Sequence, residues 1–235
     1  MRDQYAGDIS DFFKYHFIVS VVGARKLGVA WFYVPSHDGR NDGKHIEWRT
    51  DERFKLCDPQ LAEHLSILSE RTVCAVEQAD FWPIGTIFHR EPVPITRMRS
   101  SWSAAKRTAL HNADFIFCDP DNGIGLSNKH IMIEELRQLR REGRPVAFIT
   151  FPARITHNLQ ITALHERLHT ETGASNIITI RTSISIAGPN GKQPRARWFT
   201  VLDGDPQTRE ACKSFGLRLQ NVLGAKVSID ETTAP

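Results

Sequence analysis

Apolar positions follow two rhythms along this chain. Within residues 10–22, Phe13, Phe17 and Val21 recur four apart with Ile18 and Val22 beside them. That is one stripe of a helix, for which Ser10 supplies the expected N-cap. VAWFYVP, residues 29–35, is instead an unbroken apolar run ending at proline, the pattern of a strand covered on both faces. The alternation continues with a helix over 60–68, strands over 72–77 and 85–89, a helix over 101–111 and a strand over 114–119. A helix over 127–142 follows, with Met132, Leu136 and Leu139 on one face, then a strand over 145–151 and a helix over 158–170. NIITIRTSI and ARWFTVL, separated by the turn-rich AGPNGKQPR, predict an antiparallel hairpin, and a last helix covers 206–223.

Strands and helices in this order predict an α/β protein with a mostly parallel sheet, helices on both faces and a C-terminal antiparallel hairpin. That is the Rossmann-like arrangement of methyltransferases, a similarity of fold alone. One domain is expected over 1–228, with 229–235 as a frayed polar tail.

Composition narrows the class only modestly. Hydrophobic residues make up 40% and charged residues 24% of the 235, as in a soluble globular protein. No apolar run approaches the roughly 18 residues of a membrane helix, and MRDQYAGD is too polar and acidic for a secretory signal, so a cytoplasmic protein is expected. Cys57, Cys74, Cys118 and Cys212 lie far apart without a C-x-x-C pair, which argues against a disulfide framework or a zinc ribbon. The net charge of +3 permits a nucleic-acid partner without requiring one.

In open sheets of this type ligands sit beyond the carboxyl ends of the strands, so four strand ends carry the candidate chemistry. After the first strand, SHDGRNDGKH brings His37, Asp38, Asp42 and His45 where a dinucleotide or adenosylmethionine site needs uncharged glycine-rich backbone. These side chains suit substrate binding, a divalent cation or a solvated turn. Glu77, at the end of the strand over 72–77, has the chemistry of a ribose-hydroxyl acceptor or of a surface acid. FCDPDNG ends the strand over 114–119 with Asp119 and Asp121 around a stiffening proline, and with Asn122 beside them. Adjacent carboxylates in a partly dry cleft cannot both ionise cheaply, which suits acid/base work or support of a sugar cation. Asn122 both donates and accepts, as reading a base edge requires, and Gly123 and Gly125 leave room for a planar group. The plain alternative is an Asx-turn starting the next helix. TFPARITHN adds Arg154, suited to a phosphate, and His157, suited to moving a proton.

Near the start, Asp11, Lys14 and Tyr15 share one helical face, with Asp8 just before the cap, and an i,i+3 ion pair also accounts for Asp11 and Lys14. RMRSSWSAAKR interleaves Arg97, Arg99, Lys106 and Arg107 with Trp102, and KQPRAR carries Lys192, Arg195 and Arg197. Cations around an aromatic suit phosphate contacts and base stacking, whereas charge runs are otherwise solvated surface.

YAGDISDFFKY resembles the A-G-N-x-A-D-x-x-K-H opening of the large-subunit ribosomal-RNA adenine-N6 methyltransferases, and Asp119-Pro120 matches the start of their D-P-P-Y motif. PVAFITFP is similar to the family's following strand. The resemblance implies a nucleic-acid-binding scaffold and, in its intact form, S-adenosylmethionine as cofactor. Asp121 and Asn122 depart from D-P-P-Y, and SHDGRNDG replaces the glycine-rich cofactor loop. YxGD, DGxH and DPDNG together resemble phage-defence DNA glycosylases, which implies excision of a modified base from double-stranded DNA with no cofactor. On that reading Asp119 or Asp121 is the catalytic carboxylate, Asn122 reads the base, His157 is an acid, and Arg97, Arg99 and Arg154 hold phosphates. Asp8, Lys14, Tyr15, His37, Asp42, His45 and Glu77 would line the substrate site. Three functions follow: an N-glycosylase, a methyltransferase with a degenerate loop, and a non-catalytic nucleic-acid-binding module.

Overall fold

Of the apolar run expected as a strand over 29–35, residues 29–31 lie in β1 (Leu27–Trp31) and 32–35 follow it outside the sheet. β1 pairs in parallel on both sides, with β3 (Phe115–Asp119) and with the short β2 (Ile87–His89). The structure, a computed structural model, describes every residue except 36–44, 69, 142, 153–156, 187–192 and 235. β4 (Val146–Thr150) continues the parallel set beside β3. β6 (Gln193–Leu202), β5 (Asn176–Ile186) and β7 (Lys226–Thr233) then extend the sheet in antiparallel fashion, giving the order β2-β1-β3-β4-β6-β5-β7. The fold is thus Rossmann-like, of the methyltransferase type: parallel at first, antiparallel at its end, with helices around it.

Both faces of the central strands are buried, which explains their unbroken apolar sequence. Leu27, Val29 and Trp31 of β1 and Phe115 and Phe117 of β3 join one core; Ala30, Ile116 and Cys118 point into the other. The first core lies under α1 (Ile9–Val22), α2 (Glu52–Cys57), α3 (Pro59–Ser66), α4 (Val73–Glu77) and α8 (Pro206–Leu223). Phe17 of α1 stacks on Phe199 of β6 at 4.7 Å between ring centroids. The second lies under α5 (Arg99–Ala109), α6 (Ile133–Leu139) and α7 (His157–Thr172).

Several expectations are corrected. Residues 72–77 form α4, not a strand: Thr72 caps it by accepting from Ala75 N–H at 3.1 Å, and Val73 and Val76 share its buried face. The α1 cap is Asp8 rather than Ser10, because the Asp8 carboxylate accepts from the amides of Ser10 and Asp11 at 2.7 and 3.1 Å. The helix expected from 127 begins only at Ile133, since the preceding chain turns back on itself, with Asn122 N–H donating to Lys129 O and Ile131 N–H to Gly123 O. The tail is not frayed through 233. β7 pairs with β5, Asp230 pairs with Arg181 at 2.7 Å, and Glu231 with Arg209 and Lys213 at 2.7 and 3.0 Å.

The basic stretch before β3 is corrected most strongly. Arg99, Trp102 and Lys106 face inward from α5. Arg99 Nε and Nη2 each donate to a Glu135 oxygen at 2.8 Å, and Lys106 Nζ lies 3.4 Å from the same carboxylate and 4.3 Å from the Trp102 ring centroid. Burial alone would raise Glu135, but the two cations hold it below the ordinary glutamate value. Arg99 and Lys106 thus lock α5 to α6, Trp102 packs against Phe32 and His89, and all three are turned away from solvent. Glu135→Gln, which leaves two buried cations without a counter-charge, should lower the unfolding free energy by roughly 3 kcal/mol or more, measured by urea denaturation.

Candidate functional site

β1 is the strand from which the chain leaves in both directions across the sheet, toward β2 on one side and β3 on the other. The crevice beyond the carboxyl ends of β1 and β3 is therefore the topological switch point. Asp119 is the last residue of β3 and opens there, 2% exposed. Its Oδ2 accepts from Lys14 Nζ at 2.9 Å, and the same ammonium lies 2.6 Å from Asp11 Oδ1. Asp11 Oδ2 also accepts from Gly7 N–H at 2.9 Å. One buried cation thus ties the start of α1 to the end of β3.

Electrostatics sharpen this arrangement. Burial pushes the carboxyl groups of Asp8, Asp11 and Asp119 above the ordinary aspartate value, although Lys14 opposes the rise in each. Burial acts on Lys14 in the opposite sense, but the charges of Asp11 and Asp119 outweigh it and hold the ammonium above its usual value. The Lys14 amine is thus enclosed by two carboxylates, at 2.6 and 2.9 Å.

Above this floor lies a cavity of about 310 Å³, at the small end of the roughly 300–1,000 Å³ range of ligand sites. Tyr5 and Phe151 supply aromatic wall, and Asp8, Asp121 and Asn122 supply polar edge. Asp121 is less buried than Asp119, at 14% side-chain exposure, and accepts from the Met1 ammonium at 2.7 Å. Asn122 is exposed. Lys129, His45, Arg195 and Arg197 complete the walls with basic groups.

Gly123 fixes the loop that carries Asp121 and Asn122. Its φ is +83°, and an added Cβ would stand 2.7 Å from Thr150 Oγ1 and Cγ2. The space beside Gly123 and Gly125 is thus filled by Thr150 and His130, not left for a planar ligand as the sequence suggested.

The structure gathers Asp8, Lys14, His45, Asp119, Asp121, Asn122, Arg195 and Arg197 around one cavity. Arg197 is buried and donates to Ser10 Oγ, so it is a pocket wall rather than a surface clamp. Tyr15 does not reach the cavity: it is fully buried, against Phe81 and Trp82 at 5.4 and 5.1 Å. Glu77 ends a helix rather than a strand, lies 3.4 Å from Arg90 and does not line the cavity. His157 packs edge-on to Trp198 at 5.5 Å and does not line the cavity. Arg97 and Arg107 are exposed elsewhere, the latter donating to Gln138 at 3.3 Å. His37, Asp38, Asp42, Arg154 and Lys192 lie outside the described residues. Asp11 is the floor residue that sequence reasoning treated only as a helix ion pair; its three-residue spacing from Asp8 and Lys14 is the signal.

Among the described residues no three metal-ligating side chains converge. His165 and His169 have the i,i+4 spacing of a helical metal motif. Their rings are already engaged: His165 Nδ1 and His169 Nε2 both lie on Thr232 Oγ1, at 3.0 and 2.9 Å, and the other nitrogens meet Thr179 Oγ1 and Ala174 O.

No protein-family model matches the chain, nor does any curated protein sequence. Among solved structures, a Legionella pneumophila protein of the family DUF519 is 12% identical, covering 97% of this chain and 98% of that one with a TM-score of 0.49. A SAM-dependent methyltransferase from Agrobacterium tumefaciens is 15% identical over 83% of this chain and 62% of that one, with a TM-score of 0.38.

Gly123→Ala should cost about 2 kcal/mol or more, from the left-handed backbone and the Thr150 clash together. Thr150→Ala should recover part of that loss in the same urea titration.

Proposed function

We propose that the protein acts on a nucleobase swung out of DNA and hydrolyses its N-glycosidic bond. The observation that carries this reading is the group of carboxylates around a base-sized cavity at the sheet's switch point. Depth divides their roles. A base entering first meets the buried Asp119 and Lys14, which can accept from and donate to its edge, while the sugar is left nearer the more accessible Asp121. Asp121 supports positive charge developing at C1′ and takes a proton from the attacking water, as carboxylates do in glycoside hydrolysis. The water oxygen bonds to C1′, the C1′–N bond breaks and its electron pair leaves with the base, to which the proton taken from the water by Asp121 is finally transferred. Because Lys14 is buried and engaged by both Asp11 and Asp119, at 2.6 and 2.9 Å, the route uses water and forms no imine, so the product is an abasic site in an intact strand.

Methyl transfer is the second reading, favoured by the methyltransferase-type strand order and the resemblance of the opening segment. S-adenosylmethionine fits poorly at the described end of β1. Phe32, Tyr33, Val34 and Pro35 follow directly, with no glycine for close backbone approach, and Phe32 is fully buried.

Incubation with modified phage DNA and with plain DNA, followed by mass spectrometry of released bases and alkali treatment, tests the proposal. Free modified base and alkali-labile sites are expected, falling by at least about a hundredfold in Asp121→Asn. No base released from any substrate, together with micromolar binding of S-adenosylmethionine by calorimetry, would establish the second reading instead.

A further inference from the structure

One wall of the pocket is basic in a way that the floor chemistry does not use. Arg195 and Arg197 stand two residues apart on β6, so their side chains leave the same face of the strand. Arg197 is committed to its surroundings. Its Nε and Nη2 donate to Ser10 Oγ at 3.2 and 2.9 Å, and its guanidinium lies 4.9 Å from the Phe13 ring centroid. Burial lowers its pKa to about 10 against the opposing charge of Asp8, and Arg195 pushes it in the same direction as burial.

Arg195 is placed differently. It is exposed, it lines the cavity, and its Nη2 meets Nε2 of His45 at 2.7 Å rather than a carboxylate. A guanidinium hydrogen-bonded to an imidazole requires the ring to accept, which leaves Arg195, among the described residues, with most of its five donors. His45 is held at this place by its own backbone, whose carbonyl accepts from Ile9 N–H at 3.0 Å at the start of α1. A planar cation with donors to spare among the described residues, and a second cation behind it, make an anionic phosphate group the best-matched occupant.

We propose that Arg195 and His45, backed by Arg197, form a phosphate subsite on the wall of the pocket, taking the phosphate attached to the nucleotide whose base lies over Asp119. The identity of that neighbouring base rests on the function proposed above; anion binding at Arg195 does not. The subsite would explain how a small pocket selects a nucleotide over a free base, since the phosphate adds a charge-assisted contact that the floor cannot supply.

Calorimetry on the full chain at constant ionic strength tests this with deoxynucleosides, their 5′-monophosphates, dinucleoside phosphodiesters and inorganic phosphate. Monophosphates should bind roughly tenfold tighter than the nucleosides, the worth of about one charge-assisted hydrogen bond. Arg195→Gln should abolish that advantage, bringing the monophosphate affinity down to that of the nucleoside measured on the same variant, and Arg195→Lys, which keeps the charge without the fork, should restore part of it. Diesters bound as tightly as monophosphates would assign the subsite to a nucleic-acid backbone; a preference for monophosphates would assign it to free nucleotides. Phosphate binding that depends on Arg195 with no nucleoside binding would uphold the subsite and remove the base pocket. Equal affinity for nucleosides and monophosphates, phosphate binding indifferent to Arg195→Gln, or no binding of any phosphate would overturn it.

Discussion

The ammonium of Lys14, held between Asp11 and Asp119, is the contact on which the rest of the site depends. Two carboxylates taken out of water would each cost several kcal/mol unless a cation met them. Lys14 meets both, at 2.6 and 2.9 Å, from a position one helical turn beyond Asp11. A helix from the start of the chain and the tip of a central strand are thereby fixed to one point. The cavity floor is defined by that point, and every other pocket residue is placed relative to it.

The two halves of the sheet supply different parts of this site. The parallel half ends in the switch-point crevice and contributes Asp119, with Asp121 and Asn122 on the loop that Gly123 turns. The antiparallel half contributes β6, whose Arg195 and Arg197 form the basic wall. Acid floor and basic wall face one cavity because β6 pairs with β4, which itself pairs with β3. A ligand that carries both a hydrogen-bonding ring and an anionic group matches this polarity better than either group alone.

Much of this was legible in the sequence where burial acts on both faces of an element. The runs that became β1, β3 and β4 are apolar up to the last residue of each strand, and the hairpin announced itself by its turn residues. Residues 72–77 misled because β-branched valines suit strands, yet Thr72 followed by Val73 and Val76 is also a capped helical turn. The basic stretch misled for a longer-range reason. Arg99, Trp102, Ser103 and Lys106 fall at i, i+3, i+4 and i+7, an inward helical face, but the acid that makes burial tolerable is Glu135 on another helix. A counter-charge that distant in sequence leaves no local mark. The pairing of Lys14 with Asp119, 105 residues apart, was hidden in the same way, although each residue was singled out on its own.

A double-mutant cycle between Lys14 and Asp119 tests the central contact most directly, using Lys14→Met, Asp119→Asn and the pair, with unfolding free energies from urea titrations. A coupling energy of at least about 2 kcal/mol is expected for a buried charge pair in direct contact. Strict additivity of the two substitutions, within about 0.5 kcal/mol, would contradict the account, because the floor of the pocket would then not be held by this pair.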